Sequence, residues 1–181
     1  DVETFYPEKR PFFVEGSAIF NFGEGGANNN WGFNFPRPDL FYTRRIGRAP
    51  SGGVPDANYA DVPGGTTILG ATKLSGKLGG AWNVGVLSAV TDREEARLDG
   101  PGGRFRAPIE PLTSYSVLRA QREFGQGRRS VGFIATSTVR SLGDASLQPQ
   151  FNRDAFSVGI DGWTALDKNK KWVVTGLVAG T

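Results

Sequence analysis

The stretch "TTILGATKLSGKLGGAWNVGVLSAVT", residues 66–91, alternates with period two on both sides of a double glycine. Before the glycines, Ile68, Gly70, Thr72, Leu74, Gly76 and Leu78 share one parity, and Thr67, Leu69, Ala71, Lys73, Ser75 and Lys77 the other. After Gly79 and Gly80, Trp82, Val84, Val86, Ser88 and Val90 stand opposite Asn83, Gly85, Leu87, Ala89 and Thr91. Successive side chains of a strand point to opposite faces, so this is a hairpin with one oily face.

The pattern recurs twice. "SYSVLRAQREF" (114–124) turns through Gly125–Gly127 into "RSVGFIATSTVRS" (129–141), and "DAFSVGIDGWTAL" (154–166) turns through Asp167–Lys170 into "WVVTGLVAGT" (172–181). These turns are short, whereas Asp92–Thr113 and Leu142–Asp154 are long polar links. Alternating short and long connections between strands of about 9 to 11 residues predict an all-β chain forming an antiparallel transmembrane β-barrel, or part of a larger one. The short turns are then periplasmic and the Asp92–Thr113 loop extracellular. Val84, Val86, Phe133, Val158 and Ile160 face lipid. Lys73, Lys77, Asn83, Arg119, Gln121, Glu123 and Asp161 line the lumen, and Arg119 and Glu123 find partners across adjacent strands. Trp82, Trp163 and Trp172 sit near strand ends as interfacial aromatics. Residues 1–65, rich in Gly, Asn and Pro clusters, read as a loop-rich segment with rim or lumen elements, and 66–181 as the wall, continuing beyond the chain end. A β-sandwich alternates in the same way with strands usually nearer 5 to 6 residues, and it remains the alternative.

Composition narrows the chemistry. The 181-residue chain has no Cys and no His, which removes disulfides, thiolate zinc sites, a cysteine nucleophile and the commonest general base together. Its net charge of +3 gives no broad basic field, so no nucleic-acid partner is expected. No apolar run reaches the roughly 18 residues of a membrane-spanning helix, which leaves strand spanning open. The chain opens at Asp1 without Met and reads as a piece of a longer protein.

"ETFYPEKRPFFVEG" (3–16) mixes Phe5, Tyr6, Phe12 and Phe13 with two prolines and five charges, which suits an ordered, non-regular boundary segment. Taken with "LFYTRRIGR" (40–48), "ILGATKLSGKLGGAWNVGVLSAVTDRE" and "EPLTSYSVLRAQREF", it resembles the C-terminal domain of a family of uncharacterised bacterial outer-membrane proteins. In that family a domain like family 9 carbohydrate-binding modules precedes a β-barrel of unknown function. Tyr6 and Thr43 stand where the family's pattern suggests Phe and Ser. The resemblance implies a Gram-negative outer-membrane location and a barrel of more than six strands, but no reaction. It makes outer-membrane lipid, lipopolysaccharide and an outer-membrane protein complex the expected partners. The expected function is binding or passage of a solute, with a glycan as candidate ligand.

Among candidate sites, Arg44, Arg45 and Arg48 could hold an anionic group through their guanidinium forks, or be occupied by Glu8, Glu15, Asp39 or Glu110. Asp56, Asn58 and Asp61 offer oxygen ligands to Ca²⁺ but lack the later bidentate Glu, so a solvated turn is preferred and no metal is assigned. Gly65–Gly70 has a phosphate loop's glycine spacing without its Lys-Ser/Thr, and no cofactor is called for. Trp31 with the other tryptophans could stack sugars. Asp92, Glu94, Glu95 and Glu110 could supply a glycosidase's carboxylate pair, though nothing fixes their separation. A carbohydrate-binding sandwich and a glycoside hydrolase are therefore the alternatives to the barrel, and no catalytic residue is assigned.

Overall fold

The computed structural model describes residues 7–23 and 39–181. Nine strands make two antiparallel sheets among these residues: a three-stranded sheet of order β1-β4-β5 and a six-stranded sheet of order β2-β3-β6-β7-β8-β9. The small sheet comprises β1 (Tyr59–Asp61), β4 (Glu94–Gly100) and β5 (Gly103–Glu110). The large one comprises β2 (Ile68–Leu78), β3 (Trp82–Thr91), β6 (Thr113–Phe124), β7 (Arg129–Arg140), β8 (Asp154–Ala165) and β9 (Val173–Gly180). The β2–β3 turn runs through Gly79 and Gly80 at φ 54° and 72°, the left-handed conformation that a tight hairpin turn of matching twist demands.

The polar Asp92–Thr113 link is not the expected long loop. It forms β4 and β5, which prolong the β3–β6 pair: Thr91 lies opposite Thr113, and a few residues on Glu94 lies opposite Glu110. One long hairpin therefore leaves the large sheet half-way and builds the small one around Ala96, Leu98, Ala107 and Ile109. Pro108 is tolerated because β5 is an edge strand.

The barrel expectation is corrected at the sheet edges. Closure requires the first and last strands to pair, but β2 and β9 are the two edges of an open six-stranded sheet, and neither sheet closes among the described residues. The face expected to be a lumen is a hydrophobic core instead. Leu87, Ala89, Val117 and Ile134 on it are covered by Phe13, Phe20, Phe22 and Ile46 from residues 7–23 and 39–48, giving a sandwich-like layering whose second layer is largely irregular chain. This chain includes a single helical turn, α1 (Pro11–Val14), and two 3₁₀ turns, Ser17–Phe20 and Thr43–Arg45. Missing side chains make room for it: a Cβ at Gly85 would meet Ile19 and Phe20, and one at Gly159 would meet Phe22 at 2.5 Å.

With closure goes the basis for an outer-membrane location, for solute passage, for periplasmic and extracellular ends, and for lipid, lipopolysaccharide and an outer-membrane complex as partners. Separately, no helix among the described residues is long and apolar enough to cross a membrane. Val84, Val86, Phe133, Val158 and Ile160 do share the face opposite the core, as the register requires. On the inner face of edge strand β2 stand Lys73 and Lys77, whereas β9 carries no charged residue. Phe5, Tyr6 and Trp31 lie outside the described residues.

Candidate functional site

The inner face reads as cross-strand rows. One row is Ser75–Gly85–Arg119–Ile134–Gly159–Ala179, and the next is Lys77–Asn83–Gln121–Gly132–Asp161–Leu177. Arg119 reaches diagonally between them, donating from Nη1 and Nη2 to Oδ1 and Oδ2 of Asp161 at 2.7 and 2.8 Å. Both side chains are almost wholly buried, and Asp161 Oδ2 also accepts the backbone N–H of Gly23 at 2.8 Å. This fork ties the irregular layer to the sheet.

The other residues expected in a lumen do not gather in one aqueous space. Gln121 Nε2 donates to Ser130 Oγ at 3.1 Å, and Lys73 Nζ donates to the carbonyls of Phe12 and Glu15, fastening α1 over β2. Lys77 and Glu123 are exposed, and Asn83 is half-buried. Trp82 and Trp163 stand on opposite faces of the sheet, and Trp172 is exposed beside the β8–β9 turn.

At the other end of the inner face, residues 39–46 fold over β6, β7 and β8 and leave a cleft of about 270 Å³. Its floor presents Tyr115, Thr136, Thr138 and Ser157, in which Tyr115 is the direct cross-strand neighbour of Thr138 and Thr136 of Ser157. Thr136 and Ser157 share a hydrogen bond of 2.5 Å. Burial, chiefly, pushes the Tyr115 hydroxyl above its ordinary pKa. The opposite wall is Asp39, Leu40, Phe41, Tyr42 and Arg45, with the fully buried Ile46 beneath.

That wall is held rigid. Arg10 donates from Nη1 to the carbonyl of Ile46 at 2.6 Å and from Nη2 to that of Thr43 at 3.0 Å, satisfying the end of the Thr43–Arg45 turn. Glu8 in turn accepts from Arg10 and, at 2.7 Å, from Thr43 Oγ1. The Arg10 hydrogen bonds are the first cause that holds the Glu8 carboxyl down at about 2. On the far side of the turn a second cleft of about 430 Å³ is lined by Lys9, Arg10, Arg44, Arg45 and Arg48 with Glu8. Sequence reasoning singled out Arg44, Arg45 and Arg48, and all three line this cleft. Arg48 is also paired, donating to Glu110 Oε1 at 2.9 Å.

Two further groups have structural work. Glu110, buried, also accepts from the backbone of Ser51 at 2.8 Å, and Glu94 accepts from the backbone of Thr67 at 2.7 Å, so these carboxylates of the supposed hydrolytic set serve as anchors. Of the calcium candidates, Asp61 lies on β1 opposite Arg97, and Asn58 gives its backbone N–H to Asp99. No group of three or more His, Cys, Asp or Glu that could hold a metal occurs among the described residues. The hydroxyl floor was missed in the sequence, since Ser and Thr in strands carry no signal until the chain crossing above them is known.

No curated protein and no solved structure matches this sequence. One family model does, over residues 2–176, and its description is a domain of unknown function, DUF5916. That description names neither a barrel nor a carbohydrate-binding companion, and with the open sheets it corrects the outer-membrane family expected above.

Proposed function

We propose, for a chain that belongs to the DUF5916 family of domains of unknown function, that the cleft over β6–β8 is a carbohydrate-binding site. The observation that carries this is the pairing of a hydroxyl floor with an aromatic wall. Tyr115, Thr136, Thr138 and Ser157 face Phe41 and Tyr42 across a space near the lower end, roughly 300 Å³, of small-ligand sites. A sugar ring offers alternating donors and acceptors around its rim and apolar C–H faces. Hydroxyls that both donate and accept match the rim, and aromatic side chains match the faces. The Arg10–Glu8 clamp fixes the wall beforehand, which lowers the ordering cost of binding.

Titration with galactotriose, cellotriose and maltotriose, followed by backbone amide NMR, tests the site. At least one should bind with a dissociation constant of about 1 mM or tighter, some 4 kcal/mol. The shifts should gather at residues 39–46 and at Tyr115, Thr136 and Thr138. Thr138→Val, which removes one hydroxyl at nearly constant volume, should weaken binding about tenfold. Absence of any shift there with all three sugars refutes the proposal.

A further inference from the structure

We infer that the outer face of the large sheet, on the side away from the cleft, is the interface of a two-fold dimer of this chain, packed sheet against sheet with the strands of the two copies antiparallel. The face is continuous and apolar. Its two central cross-strand rows, one from Leu74 to Gly180 and one from Gly76 to Val178, hold no polar side chain. Ile160 and Val178 stand there 55% and 73% exposed, with Val86, Leu118, Phe133 and Val158 around them, where a monomer's exposed apolar residues are normally scattered. Six strands about 4.8 Å apart, each of roughly ten residues at about 3.3 Å, present roughly 800 to 950 Å². A stable complex takes about 800 Å² from each partner, so the face is large enough to pair with its own copy.

Charge selects the occupant and its orientation. A face of one sign would call for a partner of the other, whereas apolar rows meet their own copy without repulsion. The strands carry three charged residues on this face, Arg122, Arg129 and Asp154. Arg122 lies over the Trp82 and Phe124 rings. Arg129 and Asp154 are exposed, and neither has an ion pair with a described residue. They sit at opposite ends of β7 and β8, equally far from the cross-strand pair Ile134 and Gly159. A two-fold axis laid along that row turns the Arg129 end of each copy over the Asp154 end of the other and makes two reciprocal pairs. The same axis sets Arg122 over the hydroxyl row of Ser88, Ser116 and Ser137. A parallel arrangement would instead gather Arg122 and Arg129 of both copies at one end. Immersion in a bilayer suits the face less, because the unpaired edges β2 and β9 would lie in hydrocarbon, whereas the dimer leaves them in water.

Analytical ultracentrifugation of the whole chain without detergent tests the inference. A monomer–dimer equilibrium with a dissociation constant of about 1 μM or tighter is expected. Ile160→Lys, checked for an unchanged circular dichroism spectrum, should weaken it about a hundredfold, since two lysines are then desolvated without partners. Arg129→Asp and Asp154→Arg should each weaken self-association about tenfold, and mixing the two variants should restore it in the heterodimer, where opposite charges meet again. A chain that stays monomeric at about 100 μM overturns the inference. A dimer untouched by Ile160→Lys overturns the choice of face, and a mixture no tighter than the single variants overturns the antiparallel arrangement. Species that keep growing with concentration show pairing at the sheet edge and overturn the closed dimer. Flotation of the protein with phosphatidylcholine vesicles, at the expense of the dimer, shows that the face takes a bilayer and overturns it too.

Discussion

Replacing Gly132 by Ala puts a methyl group where the Arg119–Asp161 fork lies. The added Cβ would stand 2.4 Å from Asp161 Oδ1 and 2.7 and 2.8 Å from the two terminal nitrogens of Arg119, about 1 Å short of ordinary contact. Moving either partner by that much stretches hydrogen bonds of 2.7 and 2.8 Å beyond useful length. Two charge-assisted bonds at roughly 1.5 to 3 kcal/mol each are at stake, and restricting the unfolded chain returns about 0.4 to 1 kcal/mol. The net cost is about 2 to 5.6 kcal/mol, or with a urea slope near 2 kcal/mol/M a fall in Cm of about 1 to 3 M. Gly76→Ala is the control, since a Cβ there meets nothing within 4 Å. The penalty should also disappear in an Arg119→Met/Asp161→Leu background, where no buried charge is left to strand. A Gly132→Ala protein unfolding within about 0.3 M of its parent would refute the reasoning.

Other perturbations follow from the same contacts. Because Glu8 is held near 2 against an ordinary 4.5, its stabilising contribution is complete above about pH 4.5 and is lost as pH falls toward 2. With allowance for its partial exposure this is on the order of 1 to 2 kcal/mol, and thermal melts of Glu8→Gln should lack that acid limb. Arg48→Gln strands the buried carboxylate of Glu110, costing about 2 to 4 kcal/mol in urea denaturation, and adding Glu110→Gln should recover much of it. Gly159→Ala meets the Phe22 ring at 2.5 Å and should loosen residues 7–23, which limited proteolysis with electrophoresis would detect as faster cleavage near Lys9 and Arg10.

The strands of the large sheet were legible because alternation is local: Val84 and Val86 against Leu87 and Ala89 need no knowledge of the rest of the chain. Closure was not legible. It depends on whether β2 meets β9, and strands of 8 to 12 residues with one oily face serve an open sheet as well as a barrel. Lys73 and Lys77 illustrate the ambiguity, since inward charges suit both a lumen and the guarded edge of an open sheet. The β4–β5 hairpin did carry a signal, with Ala96 and Leu98 answered across a Pro-Gly-Gly turn by Ala107 and Ile109. The charges around them made the whole stretch resemble a loop. Of the site, the arginines stood out as a cluster in the sequence. The cleft is assembled from a hydroxyl floor on three strands and a crossing segment about 70 residues upstream of Tyr115, and so it exists only in the folded chain.

The unequal edges of the large sheet give its self-association a direction. A strand arriving at β2 would have to desolvate the exposed Lys77, Lys73 being already engaged by the carbonyls of Phe12 and Glu15, whereas one arriving at β9 meets Val174, Leu177 and Val178 and an uncharged row of peptide groups. Strand addition among the described residues is therefore favoured at the β9 edge over the β2 edge. A short peptide that pairs with β9 would compete with strand addition at that edge, and a charge placed on the strand, as in Leu177→Lys, would guard it as Lys77 guards β2.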